Sequence, residues 1–343
     1  MSPLKFSLTY HLIARVFDII GDIHGHIDAL RGMLHLLGYH HSGESWTHSE
    51  KNRQIIFLGD FIDRGPHIPE TVALVRQLIN DEIAQAVMGN HEYNALTWHH
   101  RDTSGRWLRS HNSVHRRQHW ETLRQYGMDP EGDEAPNTRL SDDLQWMRTL
   151  PLFIETDRCI VAHAAWEERA LADIAHDPYV LQNDEALVRS AYGEYRESRS
   201  VEKLLKGVEI SLPPGVVYHD KDGAPRQKTR VAWWVEHSEI PDPVTMAQIA
   251  MPPAAALLST VTLPRANLAE IPGYHDPRLF FMGHYWLHGA PQPLTDKVAC
   301  LDYSVARGGT LCAYQFRGET ALQQEHFCAV TPGGEPIKLR VTA

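Results

Sequence analysis

Cysteine is scarce in this chain, with Cys159, Cys300, Cys312 and Cys328 the only four in 343 residues. None falls in a CxxC spacing, and Cys159, Cys300 and Cys312 lie in apolar, strand-like runs. Buried free thiols are the reading, and they point to a reducing compartment. Positive charge is also short. Lys and Arg number 33 against 43 Asp and Glu, a formal net charge of -10. That balance argues against holding long nucleic acid on a broad basic surface. Any bound phosphate must meet local positive charge, from metal ions and a few arginines. Long apolar runs are missing as well. The opening MSPLKFSLTYHLIARVFDII is broken throughout by polar and charged residues and has no small-residue cleavage site. Neither a signal peptide nor a membrane span is expected there, and a cytoplasmic enzyme is the default. No internal repeat, coiled coil or low-complexity tract is found.

What is present suits a folded α/β enzyme. Hydrophobic residues make up 43% and charged residues 22%, enough for a large core. Histidines are numerous, at 22.

Strand and helix signals alternate. Arg15 to Gly21, Gln54 to Leu58 and Ile83 to Met88 read as short buried strands. Helical spacing follows the first at Ile27 to Leu37 and the second at Pro69 to Ile79. Further strands are expected at Arg158 to Ala162, Arg278 to Met282 and Val298 to Leu301. Thr310 to Phe316 and Gln323 to Val330 read as a closing antiparallel pair. Two stretches look inserted, at about 99–136 and 165–275, into one domain spanning 1–343. The second holds expected helices near Asp184 to Gly193 and Arg199 to Lys206, and an aromatic strand, VAWWV.

Polar residues collect at the carboxyl ends of these strands, where α/β sheets bind ligands. Asp22 and His24 are two apart, so in an extended segment both reach one side and one metal. In GDFIDRG, Asp60 ends a strand with a carboxylate able to bridge two cations. Asp63 and Arg64 follow, and the Arg64 donor fork suits a phosphate. In GNHE, Asn90 offers a neutral oxygen and His91 an imidazole that titrates near neutrality. Each block alone also fits an ordinary turn, ion pair or helix cap.

The order of the blocks adds to this. DIHG, GDFIDRG and GNHE, each after a strand, resemble the signature of the calcineurin-like metallophosphoesterases. His163 in VAHAA and His284 in FMGHYW match two further histidines of that superfamily. The retained Asp63-Arg64 pair resembles the phosphoprotein-phosphatase-type branch most closely. The tail GHYW…VACLDYS…GGTLCAY is similar to bacterial diadenosine-tetraphosphatase-like members.

The resemblance implies a central mixed β-sandwich flanked by helices, with two divalent metals at its edge. It assigns Asp22, His24 and Asp60 to one metal, and Asp60, Asn90, His163 and His284 to the other. Mixed imidazole, carboxylate and amide donors suit Mn first, with Fe or Zn as alternatives. A bridging hydroxide would attack phosphorus, Arg64 would neutralise phosphoryl oxygens, and His91, oriented by Asp63, would protonate the leaving oxygen.

The family pattern also includes a second phosphate-binding arginine. Arg226 and Arg230 are candidates, with Lys221 and Lys228 nearby, and Arg230 is the choice. Ala164-Ala165-Trp166 departs from the small residues usual after the first late histidine and adds bulk there. Trp233 and Trp234 read as core rather than a base-stacking platform. Arg101, Arg106, Arg109, Arg116, Arg117 and Arg124 cluster after GNHE, and His111, His115 and His119 recur every four residues. A solvated helix face is expected there, over a basic lid. Asp302 is expected behind the metal ligands.

The expected reaction is hydrolysis of a phosphomonoester, on a phosphoprotein or a small phosphate. The alternative is hydrolysis of dinucleoside polyphosphates.

Overall fold

Alternating apolar residues on short strands create two sheets that bury one face against each other. The computed structural model describes residues 16–43, 45–219, 225–236, 240, 242–252, 254–268 and 271–339. The N-terminal segment before Val16 and Lys221 lie outside them.

The first sheet runs in the order Asp302–Tyr303, Thr310–Phe316, Val16–Ile20, Arg53–Phe57, Ala84–Ala86, with Phe327–Val330 also paired to Thr310–Phe316. Its last three strands are parallel, and Thr310–Phe316 is antiparallel to Val16–Ile20. The second sheet runs Val298–Cys300, Leu279–Met282, Cys159–Ala162, Phe153–Glu155. Its first three strands are parallel.

The two-residue period of a strand divides the core into layers. Phe17, Ile19, Ile56 and Leu58 meet Cys159, Val161, Leu279 and Phe281 between the sheets. On the other face Ile20, Ile55 and Phe57 pack under Leu30, Met33, Leu34, Val72 and Val75 of helices Ile27–Leu36 and Ile68–Asn80. The fold is a mixed β-sandwich flanked by helices, as expected. Each of the first two strands is followed by its expected helix, and the third by the helix Asn90–Trp98.

The inserted stretches carry helices Ser113–Gln125, Asp184–Ala191 and Arg196–Lys206. The aromatic run VAWWV is not a strand. The strand here is Lys228–Arg230, and Val231 forms one isolated bridge to Ala250 before the chain turns. Val231, Ala232, Trp233 and Trp234 are all buried, which the alternation of a one-faced strand does not allow. Trp233 is core, and its indole N–H donates to the Ala164 carbonyl at 3.0 Å.

Cys159, Cys300, Cys312 and Cys328 are free, and the first three are buried. Burial raises the Cys159 thiol to about 11. Among the described residues no helix is long and apolar enough to cross a membrane.

One polar group interrupts the outer face of the first sheet. Asp18 is buried, accepts from Arg53 Nη1 at 2.7 Å and from the Tyr39 hydroxyl at 3.0 Å. Burial raises its carboxyl, and Arg53 and Tyr39 oppose that. Removing one partner strands a charge. We expect Arg53→Leu to cost about 3–5 kcal/mol, read as a lower thermal midpoint. An unchanged midpoint would show the pair to be dispensable.

Candidate active site

Parallel strands of both sheets end at one edge, and each hands a polar residue to it. Val16–Ile20 leads to Asp22 and His24, Arg53–Phe57 to Asp60, and Ala84–Ala86 to Asn90 and His91. Cys159–Ala162 leads to His163, and Leu279–Met282 to His284. The loops touch so closely that two positions need glycine. A Cβ on Gly89 would strike the backbone and carboxylate of Asp60, and one on Gly283 would strike Asp22 Oδ1. Positive φ gathers here in non-glycine residues. His24 lies at 47°, Asp60 at 54°, Asp63 at 65°, Arg64 at 72° and His284 at 74°. Such conformations cost about 1–3 kcal/mol each and persist where the surroundings hold them.

Asp60 is the hub. His163 Nε2 lies 3.4 Å from its Oδ1, and His24 Nε2 and His91 Nε2 lie 3.5 and 3.9 Å from its Oδ2. Asn90 Oδ1 lies 3.1 Å from His163 Nε2 and 2.7 Å from His284 Nδ1. The backbone carbonyls of Ile62 and Leu58 fix the tautomers. They sit 2.8 and 2.7 Å from Nδ1 of His24 and His163, so those nitrogens carry hydrogen. With Nδ1 carrying the hydrogen, the His163 Nε2 lone pair faces oxygens of Asp60 and Asn90, acceptor against acceptor, while His24 Nε2 lies between the Arg64 guanidinium and Asp60 Oδ2. Asp22 Oδ1 and His284 Nε2 are buried and have no hydrogen-bond partner among the described residues. A divalent cation resolves this arrangement, and two overlapping trios could hold one. His24, Asp60 and His91 form one trio, and Asp22, Asp60 and His163 the other, each with ligand atoms within 4.8 Å. The donor set fits a dinuclear centre.

Electrostatics point the same way. Burial, then Asp302 and Asp60, push Asp22 well above the usual carboxylate range. Burial, then Arg64, hold His24 well below its ordinary value. Burial, then Arg230, do the same to His284. Burial would raise Asp60, but His163, His91 and His24 outweigh it and hold the carboxyl low.

Beside this cluster His91 Nδ1 meets Asp63 Oδ2 at 2.5 Å. Asp63 Oδ1 accepts from Thr122 Oγ1 at 2.5 Å and meets His119 Nδ1 at 2.9 Å. The expectation of a solvated histidine face fails here. The helix begins at Ser113, capped by the Asn112 side chain, so His111 precedes it and stacks on Trp98 at 3.7 Å. His119 turns inward and is buried. Thr122 and Leu123 behind it, three and four residues on and also buried, were the available signal. Several arginines of the stretch have local partners. Arg116 binds Asp133, Arg124 binds Glu121, and Arg109 binds Asn94 and Gln118.

Glu92 closes GNHE, and the sequence alone gives it no role of its own. Its buried carboxylate accepts from the backbone N–H of Gly89, Asp60 and Phe61 at 3.0, 2.8 and 2.8 Å. Burial and the Asp60 charge push it up to about 8 against those donors. It ties the Asn90 helix to the Asp60 loop.

Arg64 Nη1 lies 2.6 Å from His24 Nε2, and its guanidinium covers the Trp286 ring at 4.1 Å. Arg307 covers the same ring at 4.3 Å. Asp302 is buried and accepts from the Trp286 N–H at 2.8 Å. Arg230 is half-buried, close enough to influence His284 and Tyr285. Ala164 O accepts from both Trp233 and Tyr285, and Trp166, the bulk after His163, packs against Phe153 and Phe280.

A family model described as calcineurin-like phosphoesterase matches residues 16–212. Among curated proteins, 74 residues are 45% identical to a bis(5'-nucleosyl)-tetraphosphatase PrpE (asymmetrical) of Oceanobacillus iheyensis, covering 22% of this chain and 29% of that protein. A second of that name, from Halalkalibacterium halodurans, is 43% identical over 75 residues, covering 22% and 30%. The chain thus spans under a third of the length of these relatives. A solved putative diadenosine tetraphosphatase is 15% identical with a TM-score of 0.43, covering 93% of this chain and 94% of that one. A serine/threonine phosphatase from Saccharomyces cerevisiae is 14% identical with a TM-score of 0.47, covering 93% and 79%.

Replacing Glu92 by Gln would turn one acceptor oxygen into a donor facing backbone N–H groups. We expect Glu92→Gln to cost about 1–3 kcal/mol and to lower bound metal per chain. A variant with wild-type melting and metal content would contradict the role given to this side chain.

Proposed function

The chain belongs to the calcineurin-like phosphoesterase family, and from that premise we propose a hydrolase of phosphoester bonds, a dinuclear-metal phosphatase acting on phosphomonoesters. The observation that carries this reading is the His91–Asp63 pair set beside the Asp60 cluster. Asp22, His24 and Asp60 would hold one divalent ion, and Asp60, Asn90, His163 and His284 the other. When bound, the ions would supply Lewis acidity towards phosphoryl oxygens and acidify water at neutral pH. Mn suits the mixed donor set, with Fe or Zn as alternatives.

The protein's own groups do the rest. Arg64 presents a guanidinium braced on Trp286 and would pair with phosphoryl oxygens. Arg230 would add a second positive charge from the His284 side. His91 Nε2 would give its proton to the leaving oxygen. Asp63, accepting at Nδ1, holds the ring orientation and stabilises its protonated form. Burial, then Arg64, hold His91 below its ordinary value, while Asp60 and Asp63 pull it back. A phosphate arriving with negative charge favours the protonated ring further.

We read residues 1–343 as one metallophosphoesterase domain with insertions at about 99–136 and 165–275. The free, mostly buried thiols support a cytoplasmic location.

A second reading is hydrolysis of dinucleoside polyphosphates. The tetraphosphatase names of the curated relatives favour it, as does Arg307, a second guanidinium on the Trp286 ring beside Arg64. The two readings separate in a competition assay. The Mn-loaded protein receives equal amounts of a phosphoserine peptide and diadenosine tetraphosphate. Faster release of the peptide phosphate is expected. Faster cleavage of the dinucleotide would replace the first reading with the second.

A further inference from the structure

The helix Ser113–Gln125 belongs to the inserted stretch, yet one face of it is fitted to the loop that follows Asp60. Thr122 Oγ1 accepts from the Asp63 backbone N–H at 3.0 Å and donates to Asp63 Oδ1 at 2.5 Å. Gln125 accepts from the Ile68 N–H at 2.7 Å and donates to the Gly65 carbonyl at 2.8 Å. His119, buried at 4% exposure, meets Asp63 Oδ1 at 2.9 Å. Among the described residues this is the only side-chain hydrogen bond His119 makes, and its Nε2 has no partner. The ring packs beside Trp98 and His99, and its polar contact is to Asp63.

A carboxylate held at one oxygen can still swing about its Cβ–Cγ bond. Asp63 is held at both. Its Oδ2 takes His91 Nδ1, and its Oδ1 takes Thr122 and His119. Two donors on Oδ1 fix the carboxylate plane, and the plane fixes the direction of the Oδ2 lone pair. That direction sets the His91 ring and so where His91 Nε2 points. Asp63 also sits at a φ of 65°, a conformation that needs external support.

We propose that His119 is a positioning residue for proton donation, acting through Asp63 to aim His91 at the leaving oxygen. The proposal rests on the reading of His91 as the proton donor. It gives the inserted helix a catalytic purpose beyond packing.

Leaving-group dependence tests this, because a misaimed donor matters only where the leaving oxygen needs its proton. His119→Leu removes the hydrogen bond. His119→Asn keeps an N–H donor close to the position of Nδ1. Each is assayed on phenyl phosphate, a poor leaving group, and on 2,4-dinitrophenyl phosphate, a good one, with His91→Asn as reference. For His119→Leu, kcat on phenyl phosphate is expected to fall about tenfold, and on the dinitrophenyl ester by less than about twofold. KM, bound metal and melting temperature should hold, and His119→Asn should recover most of the phenyl phosphate rate. Equal losses on both esters, or none, while His91→Asn is selective, would overturn the proposal. A His91→Asn variant with no selectivity would instead overturn the proton-donor reading. Should His119→Leu fail to fold, His119→Gln, which moves the donor outward by one bond, gives the same comparison.

Discussion

Asp60 is a carboxylate taken out of water at 1% exposure, held at a φ of 54° and faced by three imidazole rings. A buried anion of this kind costs several kcal/mol unless cations or donors meet it. Much of the surrounding structure answers that cost. The His91 N–H at the start of the Asn90 helix donates to Asp60 Oδ1 at 2.9 Å. Glu92 holds the Asp60 backbone N–H from the same helix. The parallel strands of both sheets bring Asp22, His163 and His284 to the same edge. The sandwich core between the sheets is what keeps those strand ends in register.

The arrangement has layers of support. His24 and His163 are set by carbonyls of the Asp60 loop and strand, so the hub and its neighbours orient one another. Arg64 is braced by Trp286, and the Trp286 backbone is held by Asp302, which comes from the far end of the sequence. His91 is braced by Asp63, and Asp63 by a helix from the first inserted stretch. In the proposed mechanism Arg64 and His91, the groups that would meet a phosphate, are thus braced by side chains set farther back, as preorganised sites require.

Much of this was legible in the sequence because it is local. A strand followed by DIHG, GDFIDRG or GNHE is a local signal that alone also fits an ordinary turn, and the order of the three blocks is what points to one site. His163 and His284 are singled out by the family resemblance, and each stands just past an apolar strand. His119 was not legible, because its partner Asp63 lies 56 residues away and only folding brings them together. The four-residue histidine spacing suggested one helix face, but the helix starts after His111 and turns His119 inward. Glu92 hides in a motif for a similar reason, since three of its four backbone donors come from the Asp60 loop. The run VAWWV misled because β-forming residues were read as a strand, whereas consecutive burial of Trp233 and Trp234 comes from a turn packed on Ala164, Tyr274 and Tyr285.

In the proposed mechanism Asp60 joins two metal positions. Anomalous diffraction from crystals grown with manganese tests it directly. Two peaks about 3.5–4 Å apart are expected on either side of the Asp60 carboxylate. One peak should contact Asp22 and His24, and the other Asn90, His163 and His284. A single peak, or a pair that leaves Asp60 untouched, would contradict it.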